Sequence, residues 1–207
     1  MKDMNTRLSE KDVDLLRNLI GNNLVAMGYS LFGSSPAEPI GRIGFVTDKG
    51  LFYLDNDVEW REECFAAPDY LPVLYFKRAN SIDEFPFFQG NRFFHQVPLK
   101  GRILDVWLVQ DDLEILKSGA HFQSWASTEG IVLVTDVRQY GFYKNSTWMG
   151  EILLVYKGQD VLTKLEPLSK HWDIFGRPMD AVVRRNVVSL SKGSLRPEET
   201  ARIHGAD

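Results

Sequence analysis

The sequence predicts an α+β protein, mainly antiparallel β, built from an N-terminal amphipathic helix and two related β-meander units. Three observations lead there. The stretch Ile131-Val132-Leu133-Val134-Thr135-Asp136 nearly repeats Ile43-Gly44-Phe45-Val46-Thr47-Asp48, at an offset of 136 − 48 = 88 residues. The same offset relates Trp60 to Trp148, with Phe52 and Tyr53 in one copy and Tyr140, Phe142 and Tyr143 in the other lying between. Elsewhere, short runs rich in Val, Ile, Leu, Phe and Tyr alternate with Gly, Pro, Asn and Asp, the punctuation of strands and turns.

Taken in order, Ser9-Glu10-Lys11-Asp12 reads as a helix start, an N-cap hydroxyl followed by carboxylates that complement the helix dipole. Val13, Leu16, Leu19 and Ile20 recur at helical spacing and Gly21-Asn22 supplies the stop, which predicts a helix over 10–20. Leu24 to Phe32 is a strand ended by Gly33-Ser34-Ser35-Pro36. Arg42 to Asp48 and Leu51 to Leu54 form a hairpin about Gly50, and Asp55-Asn56-Asp57 closes its second strand. Leu71 to Lys77 is a further strand, with Pro72 near its start. Residues 81–98 are the least regular part and form an aromatic insert, holding five of the thirteen phenylalanines.

Gly101 to Val109 is strongly strand-like, whereas Leu113 to Trp125 fits neither period cleanly. After Thr128-Glu129-Gly130 comes the apolar run Ile131 to Asp136. Gln139 to Tyr143, Glu151 to Tyr156 and Val161 to Leu165 then continue an antiparallel meander. Met179 to Leu190 suits a helix by its Met179, Val182 and Val183 stripe and a strand by its valines.

Strand Leu153 to Lys157 resembles Val73 to Lys77 at an offset of 153 − 73 = 80, so the first unit carries eight more residues between Trp60 and this strand. Insertion in a surface loop is the cheap way for copies to diverge, and an internal duplication is the expectation. The competing account is that two hairpins drawn from one residue menu share a short peptide by chance. The expected organisation is a helix plus first β unit with the aromatic insert at 1–98, a second β unit at 99–190, and a polar, flexible tail at 191–207.

With 207 residues, 44% hydrophobic and 25% charged, the chain has the composition of a globular protein large enough to bury a core. A net charge of −4 argues against general nucleic-acid binding, which needs a basic surface to displace counterions from phosphates. The single cysteine, Cys64, excludes an internal disulfide, and Glu62 and Glu63 beside it oppose the thiolate a nucleophile needs. No leader-like or membrane-length apolar run is present, so the expected location is cytoplasmic, without membrane contact. Asn145-Ser146-Thr147 matches a glycosylation triplet, which has no meaning without export.

Candidate chemistry is sparse. Asp48 and Asp136 end equivalent β runs and could act as paired carboxylates at a ligand site, although an Asp there most often caps a turn. Asp55, Asp57 and Glu59 alternate as in a calcium loop, but Trp60 and Ala66 stand where that loop needs Gly and Glu. His95, His121, His171 and His204 are scattered, and neither a phosphate-binding glycine motif nor a nucleophile elbow occurs. No metal, cofactor or catalytic residue is expected. Large aromatics dominate interface hot spots, which makes Phe87, Phe88, Phe93, Trp60 and Trp148 the candidate partner-binding residues. The expected function is a non-catalytic module that binds another protein, with a bacterial toxin-neutralising (immunity) or adaptor role fitting. The alternative is an enzyme or small-ligand binder using Asp48 and Asp136 in a groove between the units.

Overall fold

The computed structural model describes residues 3–31, 39–61, 69–84, 94–145, 153–168, 180–194 and 199–204. These are mostly antiparallel β, with one short helix and two sheets. After a three-residue strand β1 (Met4–Thr6), helix α1 (Glu10–Arg17) starts where the Ser9 hydroxyl accepts the Asp12 amide at 3.2 Å. Leu16 is fully buried on it. The helix stops short of the expected residue 20 because the next amides turn tighter: Leu19 and Ile20 donate to the carbonyls three residues back, and Gly21 leaves at φ +89°.

The first unit comprises β2 (Leu24–Leu31), β3 (Pro39–Thr47), β4 (Gly50–Arg61), β5 (Asp69–Arg78) and β6 (Phe94–Pro98). It forms a five-stranded sheet of order β5-β4-β3-β2-β6. The second comprises β7 (Ile103–Lys117), β8 (Ala120–Thr135), β9 (Gln139–Lys144), β10 (Leu153–Gly158) and β11 (Asp180–Ser189), in the order β10-β9-β8-β7-β11. In both, four strands meander and a fifth returns to lie antiparallel to the first. The second sheet reaches eight strands by adding β12 (Gly193–Ser194) and β13 (Glu199–Ile203) beside β11, and β1 parallel to β8.

Several local expectations change. Leu113 to Trp125 is a hairpin rather than a helix: Lys117 pairs with Ala120 around Ser118 and Gly119, which adopt φ +53° and +77°. Thr128-Glu129-Gly130 lies within β8, which runs unbroken from Ala120 to Thr135. Its glycine is needed because a Cβ there would meet Tyr143 Cδ1 at 2.3 Å. Val161–Lys164 is a 3-10 turn, and Asp180–Ser189 is a strand whose residues alternate between buried and half-buried. Within the polar stretch after Ser191, Glu199–Ile203 pairs with β11 along five residues.

The main core lies between the sheets. Phe45 of β3, fully buried, packs edge-on to Phe142 of β9 at 5.1 Å and lies 6.3 Å from Phe76 of β5. Strand β5 packs on β8 and β10 on β3, so each unit's last meander strand covers the other unit's second strand. Ile131 and Leu133 enter this core, whereas Val132 faces a second cluster with Val109, Tyr143, Val161, Leu162 and Val187. Cover on both faces explains why Ile131 to Val134 is apolar without a break. Among the described residues no helix is long and apolar enough to cross a membrane.

Candidate functional site

The two repeated Thr-Asp elements meet at one junction. Asn23, just before β2, and Arg102, just before β7, pair directly across it. Each has its outward backbone groups taken by its own unit's aspartate. Asp48 accepts the Asn23 amide at 2.9 Å and donates its own amide to the Asn23 carbonyl at 3.1 Å; Asp136 does the same with Arg102 at the same distances. The Asn23 side chain adds a bond to Asp48 at 2.8 Å. The preceding threonines also match: Thr47 Oγ1 donates to the Gly50 carbonyl and Thr135 Oγ1 to that of Arg138, at 3.1 and 2.7 Å.

The Asp48 carboxyl is held below its usual range, first by the Asn23 amide and then by the Asn23 side chain. Gly101 closes the crossing at φ +123°, where a Cβ would lie 2.7 Å from Thr135 Oγ1 and 2.8 Å from Asp136 Oδ1. The junction thus brings both sequence-selected aspartates to the two sides of one residue pair and uses each as a cap. Around it, apolar side chains face water: Val25 is 50% exposed, Leu104 52% and Val137 45%. Val25 and Leu104 stand two residues beyond Asn23 and Arg102, in equivalent places.

Of the expected contact residues, Phe87, Phe88, Phe93 and Trp148 lie outside the described residues. Trp60 is placed by its backbone alone, in β4 opposite Tyr70.

A second constellation was not anticipated. Strand register aligns Glu199 of β13, Arg185 of β11, Asp111 of β7, Ser127 of β8 and Thr6 of β1 in one row across five strands. Directly opposed residues share a face, so the row is a polar line across the sheet. Arg185 binds Asp111 side-on, Nε and Nη2 donating to its two oxygens at 2.7 and 2.6 Å, and Nη1 donates to the Glu166 carbonyl at 3.2 Å. From β9, the Lys144 ammonium donates to Ser127 Oγ at 3.0 Å and to Glu129 at 3.3 Å. Thr6 links Ser127 to the Trp125 indole, both bonds being 2.9 Å.

All four charged groups are buried. Burial pulls the Lys144 ammonium below the ordinary lysine range, against the opposing pull of Glu129. Burial also works against the Arg185 guanidinium, but the hydrogen bond and charge of Asp111 outweigh it and leave its pKa raised.

Beside this row opens a cleft of about 240 Å³, walled by Leu162, Leu165, Pro167 and Val187, with Arg185 inside and Glu166 and Glu199 lining it. A narrower recess continues from it toward Lys144, Glu129 and Tyr156. Among the described residues, no three His, Cys, Asp or Glu side chains converge on a metal position.

The signal for this site was present in the chain. Asp111 interrupts an apolar β run, and Arg185 falls on the face shared by Ala181, Val183 and Val187 in an alternating strand. A charge on the buried face of a strand needs a partner. Pairing of the two across strands required the fold.

Compared with known proteins, the chain matches no family model, and no curated protein or solved structure resembles it at a significant level.

Proposed function

We propose that this protein is a non-catalytic binding module that recognises another protein through the face around the Asn23–Arg102 junction. The observation that carries the reading is the chemistry of that junction. The two carboxylates best placed for catalysis or ligand binding are engaged with backbone amides, while three large apolar side chains beside them face water. Exposed apolar surface framed by polar groups is the ordinary make-up of a protein contact. Phe87, Phe88, Phe93, Trp60 and Trp148 are the sequence's candidates for further aromatic anchors, and a toxin-neutralising or adaptor role is the class of function that fits. Ligand chemistry at Asp48 and Asp136, the alternative, would have to displace the caps that each carboxylate places on its own unit at the crossing.

We also infer that the two units arose by internal duplication. The shared strand order, the reciprocal packing of β5 on β8 and β10 on β3, and the matched Thr-Asp caps support it.

The test is affinity capture from the native cell with the full chain as bait, followed by the charge-bearing variant Val25→Asp/Leu104→Asp and the triple variant Phe87→Ser/Phe88→Ser/Phe93→Ser. A stoichiometric partner lost from both variants, with thermal stability unchanged, is the expected result. A partner that stays bound to both would remove this face from the contact.

A further inference from the structure

The cleft beside Arg185 lies on the outer face of the eight-stranded sheet, walled by the 162–167 segment, and is a site separate from the junction. We propose that it binds a small aliphatic amino-acid zwitterion, with the ligand's carboxylate on the Arg185 guanidinium. Three features of the cleft lead to this class.

The first is donor geometry. A guanidinium has five N–H groups. Arg185 uses three: Nε and one on Nη2 toward Asp111, and one on Nη1 toward the Glu166 carbonyl. One N–H on each Nη therefore has no acceptor among the described residues. Two such donors on one planar, permanently charged group can serve the oxygens of a carboxylate. The side chain is only 4% exposed and lines the cleft, so its surroundings fix it before any ligand arrives.

The second is charge balance. Lys144 and Arg185 are offset by Glu129 and Asp111, so the buried foursome is neutral. A lone anion would add an uncompensated negative charge beside Glu166 and Glu199, which opposes it. A zwitterion adds none, and Glu199 on the lining offers a carboxylate to its ammonium. Glu199 stands directly opposite Arg185 in the β11–β13 register, which places an anionic and a cationic group one strand spacing apart.

The third is size and lining. A volume of about 240 Å³ lies below the range for drug-sized ligands and suits a body of a few carbons against Leu162, Leu165 and Val187.

The experiment is a titration of the full-length protein, labelled with ¹⁵N in its arginine side chains, followed by guanidinium NMR. The probes are L-leucine, 4-methylpentanoate, which lacks the amine, and L-leucinamide, which lacks the carboxylate. The expected result is a saturable shift of the Arg185 Nη signals with leucine, a similar shift at about fivefold higher concentration with 4-methylpentanoate, as an exposed ion pair warrants, and no shift with leucinamide. Glu199→Gln, a change at an exposed rim residue, is expected to erase the difference between the first two probes. Absence of any shift with leucine, a leucinamide shift equal to that of leucine, or a Glu199→Gln protein that keeps the full preference would each overturn the assignment. These outcomes are independent of whether a protein partner binds the junction.

Discussion

Replacing Lys144 with methionine isolates the cost of the buried charge row. The methionine side chain is close to lysine in length, so packing changes little, but Glu129, 3% exposed, loses the ammonium 3.3 Å away. Breaking a buried pair by removing one partner costs about 3–5 kcal/mol, because a desolvated charge remains. Removing both charges is far milder, since the desolvation of each vanishes with it. Lys144→Met is therefore expected to lower unfolding stability by about 3–5 kcal/mol, and Lys144→Met/Glu129→Gln to recover at least half of that. In a domain of this size the single change corresponds to a fall in Tm of roughly 6–20 °C. Urea unfolding followed by tryptophan fluorescence is a suitable assay, since Trp125 joins the row through Thr6. A single variant within about 1 kcal/mol of the parent, or a double variant as unstable as the sum of its singles, would refute the view that the pair is energetically coupled in a dry interior.

Other consequences can be checked with the same unfolding assay. Asp48→Ala and Asp136→Ala remove equivalent caps and should each lower the unfolding midpoint, by similar amounts; a large asymmetry would show that the junction is not shared equally. Gly130→Ala forces a methyl to 2.3 Å from the Tyr143 ring and 2.6 Å from the Phe142 carbonyl, so a loss of about 1–3 kcal/mol or more is expected, in contrast to the open position Gly158. Burial raises the Tyr29 phenol from 10.0 to about 12. The folded state therefore holds that proton more tightly, and the associated stability, on the order of 2 kcal/mol, is fully present below pH 10 and lost as the pH rises through 12. The lowered Lys144 pKa acts with the opposite sign, adding stability as the pH rises toward 10.5, so the Tyr29 contribution is read as the difference between the parent and Tyr29→Phe.

Much of the architecture was written locally. The Ser9 cap, the Asp48-Lys49-Gly50 hairpin and the alternating strands follow from residue preferences that act over a few positions. The repeated Val-Thr-Asp peptide announced two equivalent strand ends for the same reason: a threonine hydroxyl and an aspartate carboxylate reach backbone groups within two or three residues. Where the expectation missed, a longer-range contact overrode a local habit. Gly130 looks like a turn glycine but is small because the Tyr143 ring lies against it. Glu199–Ile203 looks like a tail but finds a sheet edge on β11.

The sequence by itself determined that this is a β-rich, mainly antiparallel chain with a helix capped at Ser9, because periodicity and turn chemistry are properties of neighbours. Only the tertiary structure decided what the conspicuous residues do. Asp48 and Asp136 end up on the two sides of the Asn23–Arg102 pair, where backbone amides engage them. Asp111, Ser127 and Arg185, separated by up to 74 residues, fall into one row because strand register, not sequence distance, sets which side chains face each other. The cleft beside that row exists because β8, β9 and β11 bring their polar members to one face and the 161–167 segment folds over them.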